Sequence, residues 1–249
     1  MNNITLLHGS DHIIKQPELS KGKKTNDYGQ GFYCTLSADL AKEWACKNNV
    51  NGFVNAYSFN DADLNVLNLL DSKYNVLNWI ALLLKNRIFT FDGEIAFNAK
   101  QYILDNYLID TSNYDAIIGY RADDSYFSYA NAFIHNTIPI RVLSEALKLG
   151  KLGIQTVLVS EKATSRLAFL NAEPVDKNIY YPKYIARDLK AREEYKQIVA
   201  NNILIKDDLF VIDIIRGGIS NDDERIQQNL PLWRSNSTSK RFWLCASGL

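Results

Sequence analysis

The stretch DYGQGFYCTLSADLAKEWA at residues 27–45 passes from a loop to a strand and then to a helix. Its glycines let the backbone turn sharply, and the apolar run Phe32–Leu36 behind them predicts a short buried strand. Ser37 is a favoured residue at a helix N-terminus, and the residues after it repeat apolar side chains at helical spacing. The stretch therefore predicts a strand that leads directly into a helix.

Further strands and helices flank this unit. Apolar runs and alternation predict strands at Ile4–Leu7, 52–59, Leu64–Leu70, Tyr114–Gly119, Ile154–Val159 and Leu209–Ile215. Helical spacing of apolar or charged residues predicts helices at 76–84, 93–106, 126–135, 140–148, Lys162–Leu170 and 183–200. The strands lie towards both ends of the chain around a helical insert, which favours an α+β fold over regular β-α-β alternation.

Composition narrows the class of protein. The chain has 249 residues, 47% of them apolar and 22% charged, as is typical of a folded globular protein. Lys and Arg number 28, as do Asp and Glu, so a generic nucleic-acid binder with a basic excess is disfavoured. The glycine-rich signatures of Rossmann and P-loop proteins do not occur in the sequence, nor do the GxSxG and HExxH signatures of hydrolases.

Cysteine usage and hydropathy indicate the compartment. Cys34, Cys46 and Cys245 form no CxxC pair, so a zinc site is not expected and a reducing environment is favoured. The N-terminus has no basic segment followed by an apolar core, and the longest apolar run, at 80–84, is far shorter than the roughly 20 residues that span a bilayer. The sequence therefore predicts a soluble, cytoplasmic protein without a membrane partner.

Two early segments carry residues suited to a binding site. His8, followed by Gly9 and Ser10 at a strand end, places an imidazole and open backbone groups at a sheet rim, although such a histidine is more often structural. Phe32 and Tyr33 are adjacent in a strand and point to opposite faces. One ring can therefore join the core while the other stacks on a flat heteroaromatic ligand.

Gln155 is a polar residue inside a strand that is otherwise built from Ile, Val and Leu. A buried amide needs hydrogen-bond partners, and a sugar diol is one candidate, although a glutamine in a strand most often faces solvent. Asp123 and Asp124 lie in a loop before a predicted helix, where such residues commonly cap a helix or form a turn.

Taken in order, these segments resemble a known arrangement. A histidine on one strand, a tyrosine on a second and a polar residue on a late strand are similar to the His–Tyr–Glu plan of diphtheria-toxin-like and poly(ADP-ribose)-polymerase-like transferases. The resemblance is closer to a bacterial group, domain-of-unknown-function family 3990, and spans about residues 5–200. Its motifs are matched by HGS at 8–10, DYGQGFYCT at 27–35, EWA at 43–45, GFVNAYSF at 52–59, NR at 86–87, YDAIIGYRADD at 114–124, Gln155 and ARDLKAREEY at 186–195.

The resemblance implies a fold and a ligand. It implies an ADP-ribosyltransferase-like split β-sheet core with a helical insert over residues 1–215. Beyond the resemblance, we expect residues 216–249 to form a C-terminal extension that packs on the same domain. The resemblance also implies that NAD is bound as a substrate and that no metal ion takes part. Ser10, Gly31 and Arg121 belong to the implied NAD-binding set.

The same resemblance implies roles for single residues. His8 would bond a ribose of NAD, and the Gly9 backbone would hold the carboxamide. Tyr33 would stack on the nicotinamide ring, with Phe32 supporting it from the core side. Gln155 would take the place of the catalytic glutamate.

Gln155 departs from the general plan because its amide binds a hydroxyl but carries no charge. Loss of one electrostatic contact of this kind typically lowers the rate by about 10²–10³. Asp123 and Asp124 match a motif of the smaller family and are the candidates to supply the missing negative charge. Repulsion between neighbouring carboxylates would also raise the pKa of one of them, which suits a general base.

The leading hypothesis is a mono-ADP-ribosyltransferase that passes ADP-ribose from NAD to a protein or nucleic acid. A role as the toxin of a toxin–antitoxin or phage-defence pair would imply a small antitoxin protein as a partner. The alternatives are a catalytically silent module that binds NAD or ADP-ribose, and an NAD glycohydrolase. A nuclease that uses His8 or His135 with Asp123 and Asp124 is a further hypothesis, against which the zero net charge counts.

Overall fold

The structure, a computed structural model, describes residues 3–122, 124–146, 153–201 and 203–227, with the side chains of 124–126 and 227 left out. The strands in this part of the chain are β1 (Ile4–Ser10), β2 (Phe32–Thr35), β3 (Gly52–Phe59), β4 (Val66–Asn68), β5 (Ala116–Tyr120), β6 (Ile154–Leu158) and β7 (Leu167–Val175). The α-helices are α1 (Ala38–Ala45), α2 (Val76–Asn86), α3 (Glu94–Tyr107), α4 (Asp124–Ile134), α5 (Ile140–Ala146), α6 (Glu161–Thr164), α7 (Lys177–Asn201), α8 (Val211–Arg216) and α9 (Glu224–Gln227).

The strands form one mixed sheet in the order β4-β5-β6-β2-β1-β3-β7. Only the β4–β5 pair is parallel, and the other neighbours run antiparallel. The predicted α+β class is therefore confirmed. The finer prediction of an ADP-ribosyltransferase-like split core stays a prediction.

Helices cover one face of the sheet and build the larger core. Helix α2 is apolar nearly all round and is buried from Val76 to Leu84, as expected for a helix enclosed by other elements. It packs with α3 and α4 against β5 and β6, through residues such as Ile117 and Val157. The opposite face carries a smaller cluster that includes Leu6, Phe32 and Tyr57.

Helix α1 begins where the sequence predicts. The Ser37 side chain accepts a hydrogen bond from Leu40 N at 3.3 Å and so caps the free N–H groups of the first turn. The predicted strand–helix unit at residues 32–45 is therefore present, and it seats α1 against β1.

Two predicted elements are wrong. Helix α8 (Val211–Arg216) lies where a strand is predicted at 209–215, because the Asp213 carboxylate accepts from Phe210 N at 3.0 Å and stabilises a helical first turn. The helix predicted at 162–170 is the four-residue α6 followed by strand β7. Strand β7 pairs with β3 over its whole length, and this sheet pairing outweighs the helical spacing of its side chains.

The remaining helical predictions hold within the described residues. The solvated helix predicted at 183–200 belongs to the longer α7, and the end of the helix predicted at 140–148 lies outside the described residues. Ile219 and Ile226 are buried in the main core, and the boundary drawn at 215 stays a prediction. No helix in the described ranges is long and apolar enough to cross a membrane.

Candidate functional site

His8 lies at the joint between β1 and β2. Its Nδ1 is 2.6 Å from the backbone oxygen of Tyr33, and its ring stacks on Phe32 with 4.4 Å between the ring centroids. A carbonyl oxygen can only accept, so Nδ1 carries the hydrogen and Nε2 keeps its lone pair. Burial lowers the pKa of His8 to about 4, so the imidazole is neutral at pH 7.

The register of β1 and β2 contains a single residue pair, Leu7 with Thr35. Beyond this pair the His8 ring bridges the two strands in place of ladder hydrogen bonds. Strand alternation sends the side chains of His8 and Tyr33 to opposite faces of the sheet. The structure thus joins the His8 ring to the Tyr33 backbone, but not to the Tyr33 ring.

The Tyr33 side chain anchors the loop that precedes it. Its hydroxyl donates to Gly29 O at 2.8 Å and accepts from Tyr28 N at 3.0 Å. Burial raises the pKa of Tyr33, so the phenol stays protonated. Gly31 lies in the same loop, and a Cβ there would come within 2.7 Å of the Val157 side chain. This close approach to β6 explains the second glycine of the motif.

Helix α1 brings Trp44 to the Gly9 end of β1. A Cβ on Gly9 would lie 2.0 Å from Ala41 O and 2.9 Å from the Trp44 Cβ, so only glycine lets the helix lie this close. The Trp44 indole Nε1 is buried and has no hydrogen-bond partner in the described part of the chain. The Arg121 guanidinium lies 4.5 Å from the Trp44 ring centroid, at cation–π distance.

Ser10, at the end of the same strand, is engaged within the protein. Its hydroxyl accepts from Asn55 Nδ2 at 2.9 Å and donates to His12 O. These contacts fix the turn after β1.

Gln155 is buried, with 2% of its surface exposed, and is tied to a buried carboxylate. Its Nε2 donates to Asp27 Oδ2 at 3.0 Å and to Tyr120 O at 3.3 Å. Asp27 Oδ1 accepts from Arg87 Nη1 at 2.8 Å, and Asp27 Oδ2 also accepts from Ala122 N at 2.8 Å. We call Asp27, Arg87 and Gln155 the strand-end network.

Asp123 lies outside the described residues, as does the side chain of Asp124, the first residue of α4. The residue before them is well fixed, because Arg87 donates to Ala122 O at 3.0 Å while Asp27 accepts from Ala122 N. The Asp27–Arg87 ion pair therefore holds both backbone groups of Ala122, the residue before Asp123.

His135, the other histidine of the nuclease hypothesis, has both ring nitrogens in use. Its Nδ1 contacts Asn131 O at 2.9 Å, and its Nε2 accepts from Asp92 N at 3.3 Å. These bonds hold the end of α4 against the segment before α3. Within the described ranges, no three His, Cys, Asp or Glu side chains are grouped so that they could hold a metal ion.

The strand-end network contains two residues that the sequence analysis did not select. Asp27 and Arg87 stand in the matched motifs DYG and NR, so a signal was present, but sequence alone gave neither residue a role. They lie 60 positions apart, and no local pattern shows that their side chains meet. Trp44 was likewise interpreted only as part of a helix face.

A surface cavity of about 620 Å³ lies elsewhere, between α5 and α7. Its lining residues are Arg141, Glu145, Glu194, Gln197, Ile198, Asn201 and Ile203. None of the residues discussed above lines it. The chemistry of the molecule thus concentrates at the strand ends rather than in this cavity.

These features define an α+β protein whose sheet carries a neutral histidine on β1 and a fixed glutamine on β6, with β2 between the two strands. The family described as "Protein of unknown function (DUF3990)" matches residues 4–169, which is more than half of the chain. The chain therefore belongs to this family. Comparisons with curated proteins and with solved structures gave no match.

Proposed function

We propose that the chain binds NAD at the strand ends and transfers ADP-ribose to a macromolecular acceptor. The observation that carries the proposal is the placement of His8 on β1, Tyr33 on β2 and Gln155 on β6, which are consecutive neighbours in the sheet. Neighbouring strands are about 4.8 Å apart, so a dinucleotide that passes over the strand ends would span His8 on one face of the sheet and Tyr33 and Gln155 on the other.

The hydrogen-bonding character of the site suits the nicotinamide-ribose end of NAD. His8 Nε2 has no protein partner among the described residues and can accept from a ribose hydroxyl. The buried Trp44 Nε1 finds no acceptor within the described ranges, and a carboxamide oxygen would supply one once the indole turns towards the ligand. The half-buried rings of Trp44 and Tyr33 offer aromatic surface for the flat nicotinamide.

The reaction would break the bond between nicotinamide and ribose. Nicotinamide leaves as a neutral molecule, and the ribose passes through an oxocarbenium-like transition state, as in glycoside hydrolysis. Gln155 would hold a ribose hydroxyl, while Asp123 or Asp124 would contribute negative charge or accept the proton of the attacking group. The acceptor then bonds to the ribose carbon that nicotinamide has left.

A catalytically silent NAD-binding module is the second candidate, and the strand-end network favours it. Asp27 is the carboxylate in contact with Gln155, but Arg87 neutralises it at 2.8 Å. Among the described residues, the buried part of the site therefore holds no uncompensated negative charge to stabilise a cation. Binding of NAD without release of nicotinamide would distinguish this candidate.

The test uses NAD labelled in its adenylate part, the full chain and a cell lysate. Asn in place of His keeps a donor near the position of Nδ1 but removes Nε2, so His8→Asn should retain the bond to Tyr33 O and the fold. We expect this variant to lower label transfer by about 10²-fold, the cost of losing one contact to the reacting group. His135→Asn, on the far end of α4, is the matched control and should transfer at the wild-type rate.

Three results separate the candidates. Label transfer that depends on His8 supports the proposal. Nicotinamide release without transfer indicates an NAD glycohydrolase, and calorimetric binding without release indicates the silent module. If the wild type gives neither heat with NAD nor transferred label, the proposal is wrong.

A further inference from the structure

The strand-end network fixes which atom Gln155 can offer to a ligand. The two groups facing its amide nitrogen are the Asp27 carboxylate and the Tyr120 carbonyl, at 3.0 and 3.3 Å. A carboxylate and a carbonyl can only accept, so both must face the NH₂ group. The carbonyl oxygen of the amide, Oε1, is therefore turned away from both.

Asp27 cannot rotate freely to release this arrangement. Arg87 binds one of its oxygens and Ala122 N the other, while its backbone oxygen accepts from Asn86 Nδ2 at 3.3 Å. Asp27 itself is 5% exposed. The carboxylate is thus a rigid acceptor that holds the Gln155 amide in one of its two orientations.

Oε1 of Gln155 has no hydrogen-bond partner among the described residues. In the same part of the chain, the fully buried side-chain atoms without a partner are Trp44 Nε1 and Asn131 Oδ1. Oε1 is therefore the atom of the Gln155 amide that remains for a ligand to contact.

We infer that Asp27 is a positioning residue that makes Gln155 a pure hydrogen-bond acceptor, so that the site selects ligand groups that donate, such as a hydroxyl, over anionic oxygens. This inference rests on the proposed function for the identity of the ligand, but not for the orientation of the amide. It also explains why position 155 holds an amide. A carboxylate there would face Asp27 at about 3 Å, and two carboxylates at that distance cannot both ionise readily.

The orientation is tested without any ligand, by the hydrogen exchange of the Gln155 side-chain NH₂ in ¹⁵N-labelled full-length protein. The signal is identified by its loss in Gln155→Met. We expect slow exchange in the wild type and at least about tenfold faster exchange in Asp27→Asn, as the loss of a charge-assisted hydrogen bond implies. Asp208→Asn, which breaks a second buried Asp–Arg pair, should leave the rate unchanged. Equal rates in Asp27→Asn and the wild type would overturn the inference.

Gln155→Glu tests which groups of a ligand the site selects, while Asp27, Arg87 and Ala122 stay unchanged. When protonated, the introduced carboxyl can donate to Asp27 and present its carbonyl oxygen, as the amide does. Asp27 and Arg87 are the charged groups of the network. Tyr28 shares the Tyr120 oxygen with Gln155, and burial keeps its pKa well above 10, so it does not titrate in the range tested.

The readout is the Kd for NAD at pH 5.5 and pH 8, measured by calorimetry. Relative to the wild type, Gln155→Glu should bind at least about tenfold more weakly at pH 8 than at pH 5.5, because Asp27 repels the ionised carboxylate and moves it from the position in which Gln155 presents Oε1. Gln155→Met should bind weakly at both pH values. Equal or tighter binding by Gln155→Glu at pH 8 would overturn the inference. If the wild type does not bind NAD, the proposed function fails, and the exchange experiment still decides the role of Asp27.

Discussion

Two buried Asp–Arg pairs of similar exposure differ in what their carboxylates do. The side chains of Asp27 and Arg87 are 7% and 23% exposed, and those of Asp208 and Arg141 are 3% and 28% exposed. Arg141 binds both oxygens of Asp208, at 2.8 and 2.9 Å, which leaves this carboxylate to join α5 to the segment before α8. Asp27 instead keeps one oxygen for Gln155 and Ala122 N.

The difference shows that the arrangement of a pair decides its role, while its burial does not. In the Asp208 pair the guanidinium uses both carboxylate oxygens, and the result is a connection between two elements. In the Asp27 pair one oxygen is left to orient a third side chain. The first pair therefore serves the fold, and the second serves both the fold and the candidate site.

The largest expected effect comes from removing the charge of each aspartate. Asp27→Asn and Asp208→Asn should each lower the free energy of unfolding by about 3–5 kcal/mol, because a partly buried arginine loses its partner. Urea unfolding of the two variants and the wild type measures this loss.

Asp27→Asn and Asp208→Asn should lose similar stability but should differ in their affinity for NAD. Below the unfolding transition, Asp27→Asn should lose affinity for NAD, and Asp208→Asn should keep it. Equal losses of affinity would show that the two pairs do not differ in function.

The second-largest expected effect is on the pH dependence of the free energy of unfolding, to which His8 and Asp208 contribute in different pH ranges. His8 has a pKa of 6.5 in the unfolded chain and about 4 in the native protein, mainly because of burial. Only the unfolded chain binds the proton between these values, so the free energy of unfolding should fall as pH drops from 6.5 to 4. The fall should total about 3 kcal/mol, at about 1.4 kcal/mol per pKa unit.

Asp208 affects the free energy of unfolding at lower pH than His8 does. The hydrogen bonds from Arg141 hold its pKa below the usual 3.8, so its contribution is present above that value and is lost as pH falls through the native pKa. Unfolding at pH 7, 5 and 3 should show that His8→Asn removes the loss between 7 and 5. Asp208→Asn should reduce the loss between 5 and 3, and an unchanged profile in either variant contradicts its assignment.

Sequence patterns predict the strands of the candidate site better than they predict the contacts between its side chains. The strands that carry His8, Tyr33 and Gln155 were predictable, because alternation and apolar runs reflect local burial. The Asp27–Arg87 contact was not, since it joins positions 60 residues apart through tertiary packing. Strand β7 and helix α8 were mispredicted for a related reason: pairing with β3 and the Asp213 cap decide these segments.

The smallest expected effect comes from an ion pair of the same chemistry at the surface. Arg225 binds Asp223 at 2.6 Å, but its side chain is 57% exposed. Solvent already screens and solvates this guanidinium, so Arg225→Gln should change the free energy of unfolding far less than either aspartate variant does. Measured beside Asp27→Asn and Asp208→Asn by urea unfolding, this variant shows how much of their loss comes from burial. A loss in Arg225→Gln as large as in the buried pairs would mean that desolvation does not set the cost. The different roles of the Asp27 and Asp208 pairs would then have to be explained only by the groups that each carboxylate binds.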